Sequence, residues 1–133
     1  MFYSTIPQKN GNLRPHQIKA KDEILHAWDN YDSIMLQMPT GTGKTFLFTS
    51  LISDILDYYK SKHIELNILI VAHRTELLEQ IASSLGKYGI PFGFIQGSRE
   101  QHLWQRIQVG SIMSLLTSKN ESKIRQLNFN FII

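Results

Sequence analysis

The chain has 133 residues, 42% hydrophobic and 19% charged, enough for one folded domain and too apolar for a disordered tail. It contains no cysteine, which excludes a disulfide framework and a thiolate metal site. A formal charge of +3 and a pI near 9.2 permit a polyanionic partner without requiring one. Residues 1–7 lack the charged start and apolar run of a secretory signal. No stretch reaches the roughly 18 apolar residues of a membrane helix, so the expectation is a cytoplasmic protein with no membrane partner.

Taken in chain order, short apolar runs alternate with helical patterns, the mark of an α/β fold with a parallel sheet and crossover helices. Pro15 predicts a helix to about residue 30, with Ile18, Leu25 and Trp28 on one face. Residues 33–38 read as a strand leading into a glycine-rich segment. Phe48, Leu51, Ile52, Ile55, Leu56 and Tyr59 then recur at helical spacing, which makes residues 44–60 an amphipathic helix with an apolar core stripe. Residues 66–72 form a continuous apolar run, typical of a buried parallel strand. Leu78, Ile81, Ala82 and Leu85 stripe a helix from about Thr75 that Gly86 or Gly89 ends. Further strands are expected at residues 90–96, 106–109 and 128–133, with short helices at 111–116 and near 120–127. His16, His26, His63, His73 and His102 show no metal-ligand spacing, and Asp54, Asp57 and Glu65 read as solvated charges.

The segment Met38-Pro39-Thr40-Gly41-Thr42-Gly43-Lys44-Thr45 carries the chemistry. A strand, then a loop, then a helix start is the arrangement that cradles phosphate. Gly41 and Gly43 admit backbone conformations that a Cβ blocks, and the N–H groups of residues 41–45 converge with the positive end of the helix. Lys44 adds an ammonium for the β- and γ-phosphates, and Thr45 offers a hydroxyl to Mg²⁺. Met38 stands where the usual pattern has its first glycine. The ligand implied is a nucleoside triphosphate, ATP above others, with Pro39, Thr40, Gly41, Thr42, Gly43, Lys44 and Thr45 around it. A glycine-rich turn with a solvated lysine is the bland alternative.

Four further segments keep a fixed order around this loop: Leu13-Arg14-Pro15-His16-Gln17, Val71-Ala72-His73-Arg74-Thr75-Glu76, Gln96-Gly97-Ser98-Arg99 and Val109-Gly110-Ser111-Ile112. Over residues 13–133 this set resembles the first RecA-like domain of superfamily-2 helicases and translocases, closest to the branch that includes restriction-enzyme motor subunits and repair helicases. The resemblance implies a P-loop, RecA-like fold and an ATP-driven motor working on nucleic acid. Gln17 would then bond the adenine edge, since an amide pairs a donor with an acceptor as adenine does, and Arg14 would pack near the base or ribose. His16 stands where the family often has an aromatic residue. Arg74, Thr75, Gly97, Ser98, Arg99 and Ser111 would contact a single- or double-stranded nucleic-acid backbone, DNA in preference to RNA. Read without the family, Arg74 and Arg99 are loop charges and Ser111 a helix cap.

The resemblance also defines what is not here. Hydrolysis in this class uses a carboxylate after an apolar strand, and none of the 11 acidic residues takes that position. The family's Asp-Glu-x-His would follow residues 129–133, and its second RecA-like domain would supply an arginine finger. The expectation is therefore the partial N-terminal ATP-binding domain of a helicase, ending before that box, which binds nucleotide with little turnover. Open sheet edges would then favour self-association. The competing readings are a non-hydrolytic nucleotide- or nucleic-acid-binding module and a P-loop kinase, the latter opposed by the segment at residues 13–17.

Overall fold

In the computed structural model, which describes residues 3–37, 43–72, 74–95, 105–115, 129 and 131–133, the chain divides into two units, Met1–Ile64 and Glu65–Ile133.

The N-terminal unit is helical. A 3₁₀ turn at Tyr3–Thr5 precedes α1, Pro15–Trp28, and α2, Lys44–Ser61. Pro15 occupies the first turn of α1, where its missing N–H and fixed φ suit a helix start. The face that α1 buries carries Gln17, Ala20, Lys21, Ile24 and Leu25, while Ile18 and Trp28 are only half-buried. The apolar spacing thus placed the core stripe about one residue off, because it left two polar residues out of account. On α2 the expected stripe holds in part: Leu51, Ile52 and Ile55 are buried, together with Leu47, while Phe48, Leu56 and Tyr59 are half-buried. The helix closes on a Schellman turn, with the His63 N–H donating to the Lys60 carbonyl at 3.0 Å and the Ile64 N–H to that of Tyr59 at 2.9 Å. His63 takes the left-handed position there, at φ 59°. At the other end of the unit Tyr3 packs on Trp28, ring centroids 5.8 Å apart.

Two expectations fail in this unit. Residues 33–37, read as a strand, join no ladder among the described residues, and Met35 is 91% exposed. Alternation in the chain makes a strand only where a neighbour accepts and donates its backbone hydrogen bonds. Asp54, read as a solvated charge, is 2% exposed and forms an ion pair with the equally buried Lys21. Asp57 and Glu65 do face solvent, paired with Lys9 and Arg106 respectively.

The C-terminal unit is a sheet of four parallel strands in the order β2-β3-β1-β4, namely Gly93–Ile95, Ile107–Ser111, Ile68–Ala72 and Phe131–Ile132. Parallel neighbours need crossovers, and α3, Thr75–Lys87, leads out of β1 and packs on β1 and β3. Ile68, Leu69, Ile70, Ile95, Ile107 and Val109 are buried, as the apolar runs predict for strands covered on both faces. Gly89 ends α3 in the left-handed region at φ 68°. Its N–H reaches the Gly86 carbonyl, and the Ile90 N–H reaches that of Leu85, both at 3.0 Å. Leu85 and Ile90 are buried beside that turn. β4 pairs with β1 through Ile68↔Phe131 and Leu69↔Ile132, and no described residue pairs with its other edge. A short helix, α4, spans Ile112–Leu115; the helix expected near residues 120–127 lies outside the described residues. No described helix is long and apolar enough to cross a membrane.

Candidate nucleotide site and nucleic-acid edge

Of the phosphate loop, Gly43, Lys44 and Thr45 are described, while Met38, Pro39, Thr40, Gly41 and Thr42 lie outside the described residues. Gly43 is the N-cap of α2 with φ 81° and ψ 37°, a left-handed conformation that a side chain strains. It is also closely approached. A Cβ built on Gly43 would collide with the Gln17 amide nitrogen. Lys44 and Thr45, both half-buried, follow in the first turn, where the N–H groups of an 18-residue helix have no intrahelical acceptor. The Thr45 carbonyl accepts the Thr49 hydroxyl at 2.8 Å.

Gln17 is 5% exposed and joins two site segments. Its carbonyl accepts the Arg14 N–H at 2.8 Å, and its amide donates to the Gly43 carbonyl at 3.1 Å. Gln17 at the third position of α1 and Gly43 at the N-cap of α2 are thus in direct contact, whereas Arg14 and His16 are exposed. The family resemblance at residues 13–17 implies a role for Gln17 at the base, but it does not anticipate this bond to Gly43.

Sequence reasoning missed Lys21, Ser50 and Asp54. Lys21 is one turn beyond Gln17, and its ammonium donates to the Lys9 carbonyl at 3.2 Å, to the Ser50 hydroxyl at 2.9 Å and to the Asp54 carboxylate. The other oxygen of Asp54 accepts the Lys9 N–H at 3.0 Å. The available signal was the spacing of residues 17, 21, 24 and 25, which puts Lys21 on the apolar face.

In the C-terminal unit, Arg74 is the N-cap of α3, and Arg74 and Thr75 are both exposed. A shallow depression of about 680 Å³ is lined by Arg74, Glu76, Leu77 and Gln80. The register Ala72↔Ser111 brings Ser111 to the same carboxyl edge of the sheet, two residues from Arg74. The hydroxyl of Ser111 accepts the Ser114 N–H at 3.1 Å, so it does cap α4, as its plainer reading holds. Gly97, Ser98 and Arg99 lie outside the described residues.

A parallel α/β sheet with flanking helices, and a glycine, lysine and threonine opening a long helix, are consistent with a RecA-like P-loop fold. The family of the type III restriction enzyme res subunit matches residues 10–133, and the chain belongs to that family. No curated protein matches the chain. Membership places it among helicase-like, ATP-dependent DNA-motor domains, a class that works with ATP and a divalent metal and binds nucleic acid.

Proposed function

We propose that this chain is the ATP-binding part of a first RecA-like motor domain and that it binds ATP with Mg²⁺ through Lys44, Thr45 and the loop before them. The observation that carries the reading is Gly43. Its left-handed backbone, in contact with Gln17, leads directly into the helix whose first two residues are Lys44 and Thr45. The donor set fits the ligand: an ammonium suits phosphate oxygens, and a hydroxyl suits a hard cation. Bound Mg²⁺ would screen the phosphate charge, while the chain's own residues hold the triphosphate at the start of α2 and the adenine beside Arg14 and Gln17. Titration of fluorescent ATP in Mg²⁺ should saturate, and Lys44→Ala should weaken it by about a hundredfold or more. A wild-type chain indifferent to triphosphate would end this reading.

We infer further that Arg74, Thr75 and Ser111 contact the sugar–phosphate backbone of DNA, together with Gly97, Ser98 and Arg99. The support is the pairing of Ala72 with Ser111, which gathers cation and hydroxyls at the carboxyl ends of adjacent strands. Loss of Arg74 removes one phosphate contact, so the slope of log K against log[salt] should fall by about one for Arg74→Ala. An unchanged slope would remove Arg74 from the track. We infer that a second copy would add a strand beside β4, the end strand of the described sheet, where Ile132 is 68% exposed. Sedimentation that stays monomeric as concentration rises would count against it.

A further inference from the structure

We propose that the buried Lys21–Asp54 pair, with Ser50, is a positioning device that holds Gln17 in register on the start of α2 and thereby sets the preference for adenine over guanine. The inference rests on the adenine reading of Gln17 given above and extends it to residues that touch no ligand.

Gln17 and Lys21 are four residues apart on α1, on one face and in successive turns. Gly43, Ser50 and Asp54 succeed one another along α2 at intervals of seven and four, which also share a face. The two helices therefore meet at two polar points. One is the Gln17 amide on the Gly43 carbonyl at 3.1 Å. The other is the Lys21 ammonium among Ser50, Asp54 and the Lys9 carbonyl. Lys21 is 0% exposed and Asp54 2%, and the cluster closes on itself: three donors of Lys21 meet three acceptors, while Asp54 also takes the Lys9 N–H.

A closed buried pair adds little net stability over two well-packed apolar side chains. What it adds is direction. Leu or Met contacts tolerate a helix sliding or turning by a fraction of an ångström, whereas three converging hydrogen bonds do not. Base selection by an amide fails on displacements of about half an ångström, and discrimination is strong only where a misfit leaves polar groups unpaired. A hold placed one turn from Gln17 has this consequence. The phosphate end, built from backbone N–H groups and Lys44, is independent of it.

The test uses the full chain with three probes: fluorescent ATP, fluorescent GTP and inorganic tripolyphosphate. The double variant Lys21→Met/Asp54→Leu replaces the pair by apolar side chains and should fold cooperatively. It should keep tripolyphosphate affinity within about twofold, while the ATP-to-GTP preference of the wild type falls roughly tenfold or more. Ser50→Ala, which removes one bond and leaves the charges paired, should lower the same ratio by about two- to threefold. A folded double variant with the wild-type ratio would overturn the proposal, as would parallel loss of all three ligands. If the double variant does not fold, an unchanged ratio in Ser50→Ala overturns it equally. A wild-type chain that binds tripolyphosphate without preferring ATP sinks the adenine reading and the proposal together. One that binds no tripolyphosphate removes the phosphate site itself.

Discussion

Among the described residues, the buried polar side chains of the N-terminal unit are Gln17, Lys21, Thr49, Ser50 and Asp54, and those of the C-terminal unit are Ser84, Gln108 and Ser114. Of the first set, Gln17, Lys21, Ser50 and Asp54 tie α1, α2 and the backbone at Lys9 to one another. The second lies in a unit whose order comes from strand ladders and from an apolar core of Ile68, Ile70, Leu78, Leu85 and Val109. Two helices have no ladder to fix their register, so side chains must supply it, and directional bonds do so better than apolar contact. A sheet has its register set by backbone pairs and can leave its side chains apolar. Each unit presents its candidate ligand groups accordingly. Gln17 and Gly43 sit where two helices are bonded together, and Arg74, Thr75 and Ser111 sit at the carboxyl ends of β1 and β3.

The largest effect should come from breaking the polar hold on one side only. Lys21→Met leaves the Asp54 carboxylate buried without its cation, and it should lower unfolding stability by about 3–5 kcal/mol in urea titration. The Lys21→Met/Asp54→Leu variant should recover to within about 1 kcal/mol of wild type. A double-variant loss equal to the sum of the Lys21→Met and Asp54→Leu losses would show that the two residues act independently, and the contrast between the units would weaken.

That hold was the part of the fold least legible in the chain. Lys21 and Asp54 are charged residues on helices, and charge alone reads as a solvated face; only the shared side with Ala20, Ile24 and Leu25 identifies Lys21 as internal. Local signals did better. The stripe from Phe48 to Tyr59 placed α2 within one residue of Lys44–Ser61, and of the two glycines expected to end α3, Gly89 does so because its left-handed turn is a local requirement. Residues 33–37 were misread since a strand is completed by a neighbour that periodicity does not reveal. In the site, the ordered motifs carried the class, and Gly43, Lys44 and Thr45 stand at the helix start as expected. The bond from Gln17 to Gly43 required tertiary structure, and residues 38–42 and 97–99 lie outside the described residues.

The two left-handed glycines sharpen the contrast at the next level. Gly43 and Gly89 have φ of 81° and 68°, yet a Cβ at Gly43 meets Gln17 while one at Gly89 meets nothing within 4 Å. Gly43→Ala should cost about 1–3 kcal/mol and weaken ATP by at least about tenfold, since Gln17 and the loop must both shift. Gly89→Ala should cost about 1 kcal/mol with ATP affinity unchanged. Thermal melts and nucleotide titrations of both variants decide it: equal nucleotide defects would mean that Gly43 serves only as a turn.

The smallest effect is a pH dependence at the far end of α1, where side-chain bonds again hold a helix. The Ser4 side chain hydrogen-bonds the Asp29 carboxylate and lowers its pKa from the ordinary 3.8, and the backbone N–H groups of Ser4 and Tyr3 add to this against the opposing pull of desolvation. At His26 the backbone carbonyl of Asp22 and then its charge raise the pKa from the ordinary 6.5. A depressed carboxyl stabilises the fold above its unfolded pKa, and that contribution is lost as pH falls through the lower folded value. A raised imidazole contributes fully below its unfolded pKa and loses its contribution as pH climbs through the higher folded value. The N-terminal unit should therefore be best held between about pH 4 and 6.5. Trp28 lies against Tyr3, so its fluorescence in a Trp104→Phe background reports this end alone. Ser4→Ala should raise the acid midpoint of that signal toward the ordinary carboxylate range. A midpoint that does not move would place the hold on the Tyr3–Trp28 contact instead, and this end of the helix would then be packed in the manner of the C-terminal unit.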